Sequence, residues 1–380
     1  MNRREFITST AFAATAVLSG CVTTGATAEG HIMTVMGPVP PGELGKTLVH
    51  EHVVVDFIGA AKTTPERYDH EAAFQTALPH FQKLRERGVK TLVECTPRYI
   101  GRDVALLRRL SVASGVQIVT NTGWYAAVDH KFLPPEAGTE SAEQIAARWL
   151  SEWRDGIVGA GGPASPSALP PPVQVSGPGS SKGKPDVRPA VRPGFVKLGT
   201  GNGPLPPVDA KLVRAAAQVH RETGLTIAIH TGDGAAALDE LRLLREQGVA
   251  PSALIWVHAM NDPGPIQIEA ARLGAWVSLD GYSLAPQNVS RFVDFVVAHR
   301  KSGTLNRVLL SHDDGWAVDG DAPSGNRLTL FANGNKAPYE ALFTRLLPDL
   351  RVNGFTEADF EQLLVTNPGE ALTIRRRLLS

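Results

Sequence analysis

Two cysteines in 380 residues, Cys21 and Cys95, are too few for a disulfide framework or a cysteine-rich zinc site. Charge of either sign is not in excess: Lys+Arg and Asp+Glu both total 38, so the net charge is zero. No overall field therefore draws the chain to nucleic acid or to anionic lipid. Past residue 30 no apolar run approaches the roughly 20 residues that span a bilayer, which excludes a polytopic membrane protein. No G-x-G-x-x-G follows the first strand candidate, which weakens a dinucleotide-binding, doubly wound sheet. What remains is the composition of a soluble globular domain, 43% hydrophobic and 20% charged, with 11 histidines as the natural place to look for metal chemistry.

Residues 1–30 read as an export signal and tether, with residues 31–380 as the functional domain. Arg3 and Arg4 precede Phe6-Ile7 and an apolar, small-residue stretch to Gly20, the pattern of an export signal. It resembles a twin-arginine (Tat) signal, which carries folded proteins across the bacterial inner membrane. Leu18-Ser19-Gly20-Cys21 resembles a lipoprotein cleavage box, with Cys21 the lipidated residue. The expectation is a periplasmic, membrane-anchored lipoprotein that meets the membrane through its lipid alone, with the Tat machinery as its export partner. A plain signal or a transmembrane anchor is the alternative.

From residue 47 short β-branched runs alternate with longer amphipathic stretches. The strand candidates are Thr47–Asp56, Val89–Cys95, Gln117–Gly123, Gly194–Leu198, Leu225–His230, Leu254–His258, Ala275–Asp280 and Arg307–Asp313. Helical patterns such as His70–Arg87, Val208–Thr223 and Ser290–Arg300 lie between them. Eight such units indicate an α/β fold, a (β/α)8 TIM barrel with its site at the C-terminal ends of the strands. Strand parity agrees: Leu225, Ile227 and Ile229 share one face, Thr226, Ala228 and His230 the other. One segment breaks the rhythm. Residues 160–193 form a Pro/Gly/Ser-rich insertion, holding nine of the 28 prolines, read as a solvated loop.

The polar residues at the strand ends carry the chemistry. His50 and His52 stand at i and i+2 and so face the same side of a strand. With Lys197, His230, His258 and Asp313 they place six metal-competent side chains on one rim. Trp124, Tyr125, Asp280, Tyr282 and Trp316 stand near enough to line a pocket, where aromatic walls suit an apolar ester or lactone.

Six segments together resemble the phosphotriesterase family of the amidohydrolase superfamily. They are Thr47-Leu48-Val49-His50-Glu51-His52, Gly194-Phe195-Val196-Lys197, Ile229-His230-Thr231-Gly232, Trp256-Val257-His258, Leu310-Ser311-His312-Asp313 and Val365-Thr366-Asn367-Pro368. The likeness runs over roughly residues 33–375, apart from the insertion. It implies a binuclear metal-dependent hydrolase. His50, His52 and Asp313 would hold a buried ion, His230 and His258 a more exposed one, and Lys197 would bridge both as N6-carboxylysine. A bridging hydroxide would attack the substrate, with Asp313 orienting it and taking its proton. Zinc is the expected metal, with manganese, cobalt or iron acceptable to the same ligands. Asp314 competes with Asp313 by adjacency alone; the family motif favours Asp313. Glu51 and His312 should face away and act in packing or hydrogen bonding.

The resemblance leaves the substrate open among a lactone, a carboxylic ester and a phosphotriester. After the strand-seven acid the family's lactonases carry arginine and its phosphotriesterases histidine, whereas Gly281 stands here. The acid used for proton shuttling in the organophosphate enzymes is missing near Asn261. A homodimer is a further expectation from the likeness. The competing readings are a mononuclear amidohydrolase or deaminase, against which Lys197 argues, and an inactive barrel serving as a binding lipoprotein, against which the complete ligand set argues.

Overall fold

The computed structural model describes residues 30–158, 190–320 and 327–380. The export-signal reading, with Cys21, and most of the proline-rich insertion lie outside the described residues. Eight parallel strands wind around one axis: β1 (Lys46–Glu51), β2 (Val89–Glu94), β3 (Gln117–Val119, resuming at Asn121–Thr122), β4 (Phe195–Gly199), β5 (Thr226–His230), β6 (Leu254–Val257), β7 (Trp276–Leu279) and β8 (Val308–Leu310). Neighbours pair in sequence order from β1 to β8. The ring closes just past the strands, where Asp313 N donates to His50 O (3.1 Å) and His52 N to Asp314 O (2.7 Å). It is a (β/α)8 barrel.

The helices on the outside are α1 (His70–Glu86), α2 (Val104–Ser114), α3 (Ala142–Asp155), α4 (Pro207–Thr223), α5 (Gly234–Glu246), α6 (Pro265–Leu273), α7 (Pro286–Lys301) and a broken C-terminal helical run from Leu342 to Leu372. Their starts follow from local chemistry. Asp69, Asp103 and Asp233 accept backbone N–H groups of the first turn, and Ser141 with Gln144 makes a capping box. Two apolar layers result. Leu225, Ile227 and Ile229 pack outward against helices, whereas Ala228 joins Val49, Val93, Val119, Ile255 and Leu309 inside the barrel. This is the parity that the sequence of β5 shows.

The N-terminal hairpin, Ile32–Thr34 with Gly37–Val39, closes the end where the strands begin, and Ile32 and Leu44 join the inner cluster there. Ile374 N donates to His31 O (2.8 Å) at that same end. Ile157 N donates to Val191 O (2.8 Å) ahead of β4, so the residues flanking the insertion also meet on the face opposite the strand C-termini.

Candidate metal centre

His50 lies in β1 and His52 just beyond it, and both backbones are tied to the β8 loop. His50 N donates to Ser311 Oγ (3.0 Å) and His52 N to Asp314 O. Asp313 and His258 are both left-handed, at φ 61° and 60°, a conformation that costs a non-glycine residue about 1–3 kcal/mol. Each is held there by an acid. Glu51 accepts His312 N (3.0 Å) and Asp314 N (2.9 Å), the amides on either side of Asp313. Asp280 accepts His258 N (3.0 Å). The turns that aim the Asp313 and His258 side chains at the barrel axis are therefore fixed by buried carboxylates.

Around Asp313 the imidazoles share one arrangement. His258 Nδ1 meets Asp280 Oδ1 at 2.7 Å, His50 Nδ1 faces Asp280 Oδ2 at 3.2 Å, and His52 Nδ1 meets Thr96 Oγ1 at 2.8 Å. On the inner side the three Nε2 atoms turn toward the Asp313 carboxylate, at 3.3 Å for His50, 2.9 Å for His52 and 3.9 Å for His258. Ring nitrogens brought this close to a carboxylate need a positive charge between them, a ring proton or a cation. Ligand atoms of His50, His258 and Asp313 fall within 4.8 Å of one another, the spacing of a cation site. Burial opposes ionisation of Asp313, but His258, His50 and His52 hold its carboxyl well below the usual carboxylate range. Burial likewise opposes charge on Asp280, yet His258 and His50 hold that carboxyl down too. Burial lowers the pKa values of His52 and, with the charges of His258 and Lys197, strongly lowers that of His230. Neutral rings at His52 and His230 are the state in which imidazole binds a metal, whereas at His50 burial is outweighed by Cys95 and Asp280, which raise it well above its usual value.

His230 and Lys197 complete the pocket from β5 and β4. The His230 ring packs edge-on to His258 at 4.5 Å between centroids and against Tyr125 at 4.9 Å. Lys197 is 2% exposed, and its Nζ lies 5.5 Å from the Tyr125 ring centroid and donates to Leu198 O (3.0 Å). Burial lowers its pKa, which favours the neutral amine. Tyr125 fits between them because β4 has glycine opposite: a Cβ on Gly199 would lie 2.4 Å from the Tyr125 ring.

The family model of the phosphotriesterase family matches residues 30–164 and 188–372. The chain belongs to the phosphotriesterase family. It is similar to the phosphotriesterase homology protein of Escherichia coli K12, 28% identical over 86% of this chain and 97% of that one. The aryldialkylphosphatase of Saccharolobus solfataricus is 25% identical over 86% of this chain and 94% of its own. The N-acetyltaurine hydrolase of Tetraodon nigroviridis is 26% identical over 91% and 99%. Among solved structures, the organophosphorus hydrolase of Deinococcus radiodurans superposes with a TM-score of 0.69 at 28% identity, covering 90% of this chain and 97% of that one. A structure engineered for organophosphate hydrolysis from a weak promiscuous lactonase gives 0.72 at 28% identity, covering 90% and 99%. The protein is a phosphotriesterase-family hydrolase.

In this phosphotriesterase-family barrel, Asp313 and not Asp314 meets the histidines. Asp314 turns the other way, accepting Tyr339 N at 2.9 Å. Several pocket residues expected from the sequence lie elsewhere. Trp124 packs on Trp149 and Tyr99, Tyr282 on Phe292, and Trp316 on His80 and Tyr339. All three are at most 5% exposed, so they cement loops and helices onto the barrel rather than lining the mouth. Asp280 is fully buried and acts on His50 and His258, not on solvent. Of that set only Tyr125 borders the pocket.

Beyond Tyr125, the aromatic wall comes from Phe57 and Phe331, which sequence reasoning missed, with Phe132 buried behind them at 3% exposure. Tyr125, Phe132, Phe57 and Phe331 follow one another at centroid spacings of 5.8, 6.1 and 5.5 Å, and Phe331 reaches His52 at 6.0 Å. Their only sequence signal was a place in the loops after strands one, three and eight. Met260 shapes another part of the rim: a Cβ at Gly281 would lie 2.3 Å from its Cε, so the thioether fills the space a side chain there would take.

Proposed function

We propose that the protein is a binuclear metal-dependent hydrolase whose substrate is a lactone or other carboxylic ester, with phosphotriester cleavage as a side activity. The observation that carries this reading is the convergence of the His50, His52 and His258 Nε2 atoms on the Asp313 carboxylate, at the spacing of a cation site. His50, His52 and Asp313 would hold the inner ion and His230 and His258 the outer one, with Lys197 as the carboxylated bridge. Zinc is the expected metal. Bound divalent ions would supply an acidified water and polarise the substrate oxygen.

The chain's own residues do the rest. Asp313, held ionised by its histidine neighbours, is placed to orient a water and accept its proton. Asp280 holds His258 in orientation through its Oδ1, and its Oδ2 lies 3.2 Å from His50 Nδ1. Phe57, Phe331 and Tyr125, backed by the buried Phe132, offer an apolar wall, which supports an uncharged, apolar acyl or alkyl group on the substrate. One structural neighbour was engineered from a weak promiscuous lactonase, and that parentage agrees with this reading.

We also infer export by the twin-arginine route and anchoring through Cys21 in the periplasm. Gly30 follows Cys21 by nine residues and lies next to His31, which bonds Ile374 where the strands begin. Membrane fractionation of wild type against Cys21→Ser tests the anchoring: release of the variant into the soluble periplasmic fraction is expected, and an unchanged distribution rejects lipid anchoring.

Metal content of the purified protein beside Lys197→Ala, with turnover of lactones, aryl esters and paraoxon-like triesters, tests the catalytic reading. About two ions per wild-type chain, fewer in the variant, and turnover of the esters are expected. No ion after supply of zinc, manganese and cobalt would reject it.

A further inference from the structure

His52 differs from its neighbours in how its outer nitrogen is held. His50 and His258 share a carboxylate, Asp280, whereas His52 Nδ1 meets a hydroxyl, Thr96 Oγ1, at 2.8 Å. A carboxylate only accepts, so it dictates which imidazole nitrogen carries the proton. A hydroxyl both donates and accepts, and by itself dictates nothing.

The ambiguity is removed one residue further out. Thr96 Oγ1 hydrogen-bonds Glu94 Oε1, and its other oxygen neighbour, Val54 O, is farther away at 3.4 Å. Burial pushes the Glu94 carboxyl up to about 7, so above that pH it only accepts: the single hydroxyl proton goes to Glu94, and Thr96 can only accept from His52. Glu94 is held for this by two backbone donors, Thr96 N at 3.2 Å and Val53 N at 3.4 Å. Thr96 itself is pinned from β3, where the Asn121 amide donates to Glu94 O (3.0 Å) and Thr96 O (3.1 Å). Thr96 is wholly buried and Glu94 is 1% exposed, so water does not compete for either partner.

We propose that Thr96 is a positioning residue: its hydroxyl passes the polarity of Glu94 to His52, fixing the Nδ1–H tautomer and leaving the Nε2 lone pair aimed at Asp313. The consequence for a cation rests on the metal-site reading above; the tautomer does not. Without the hydroxyl, His52 has no partner at Nδ1, and a proton on Nε2 gains the Asp313 carboxylate 2.9 Å away. That tautomer blocks Nε2 as a ligand.

Thr96→Val keeps the shape and removes the hydroxyl; Thr96→Ser restores it. The decisive measurement is ¹⁵N spectroscopy of the metal-free protein with labelled histidine at about pH 8, His52 being assigned by its loss in His52→Gln. The expected result is an Nδ1–H imidazole at His52 in wild type and in Thr96→Ser, and an Nε2–H imidazole in Thr96→Val. An unchanged Nδ1–H tautomer in Thr96→Val overturns the proposal. Should the valine variant fail to fold, Thr96→Ala is read in the same way. Zinc titration separates the two readings. Zinc binding weakened about tenfold to a hundredfold in Thr96→Val and recovered in Thr96→Ser supports both. A switched tautomer with unaltered zinc binding supports the role of Thr96 and rejects His52 as a ligand.

Discussion

Two buried clusters of the same residue types lie side by side at the β1–β8 seam, on alternating residues of the same two segments. His50, His52 and Asp313 face the barrel axis; Glu51, His312 and Asp314 face away from it. His50 and Asp313 together with His258, and Glu51 with His312 and Asp314, both have the spacing of metal ligands. They differ in hydrogen bonding. In the outer cluster every group is met: Glu51 accepts Ser311 Oγ (2.7 Å), His312 N, His312 Nδ1 (2.7 Å) and Asp314 N, and His312 Nε2 accepts Leu342 N (2.9 Å). In the inner cluster three imidazole Nε2 atoms crowd one carboxylate, and His50 Nδ1 and Asp280 Oδ2 make no hydrogen bond among the described residues. A satisfied polar cluster locks the fold, whereas an unsatisfied one is poised for a ligand. Residue type alone does not separate these cases; the direction of each proton does.

Substitution should therefore affect the two clusters in opposite ways. Asp313→Ala is expected to lower kcat by about a thousandfold while leaving thermal stability little changed, because it removes a buried charge that burial opposes while the backbone at 313 stays left-handed. Parallel steady-state kinetics and thermal melts check this, and a large loss of stability would break the contrast. Glu51→Ala strands four donors in a dry seam and should cost about 3–5 kcal/mol of unfolding free energy, measured by denaturant titration.

A third buried acid offers a pH-dependent comparison. Glu240 accepts Thr200 Oγ1 (2.7 Å) and Thr231 Oγ1 (3.1 Å), and burial pushes its carboxyl up to about 8 from an ordinary 4.5. The folded protein then keeps a proton that the unfolded chain has released. Its contribution to stability is complete below about pH 4.5 and is lost as pH rises to about 8, at up to about 1.4 kcal/mol per pH unit. Wild type should lose melting temperature over this range relative to Glu240→Gln; parallel curves would show that the carboxyl is not held neutral. The smallest effect is expected at the mouth. Phe57→Ala should raise KM for an apolar ester about fivefold to thirtyfold, equivalent to about 1–2 kcal/mol of lost contact, with kcat little changed.

Much of the barrel was legible in the chain because strand parity is local. A period of two tells which residues of Leu225–His230 face inward, and the structure divides them in that way between its two apolar layers. His50, His230 and Lys197 were legible for the same reason, since each lies in a strand. The pocket was not. Trp124, Tyr282 and Trp316 carry the same sequence signal as Tyr125, yet they turn into the core, while Phe57, Phe132 and Phe331 come together from loops far apart in the chain.

Local sequence sets the order of strands and helices, the inward face of each strand, and the polar side chains delivered to one rim. These follow from backbone geometry over a few residues. Closure of the barrel is what brings Asp313 rather than Asp314 to the histidines, sets Asp280 beside two of them, and lets Glu51 fasten the seam. Those choices depend on left-handed turns at Asp313 and His258 and on hydrogen bonds such as His50 N to Ser311 Oγ, between residues 261 positions apart. Past the last residue of a strand the periodicity ends. Side-chain direction is then set by whichever buried donor or acceptor the closed barrel brings within reach.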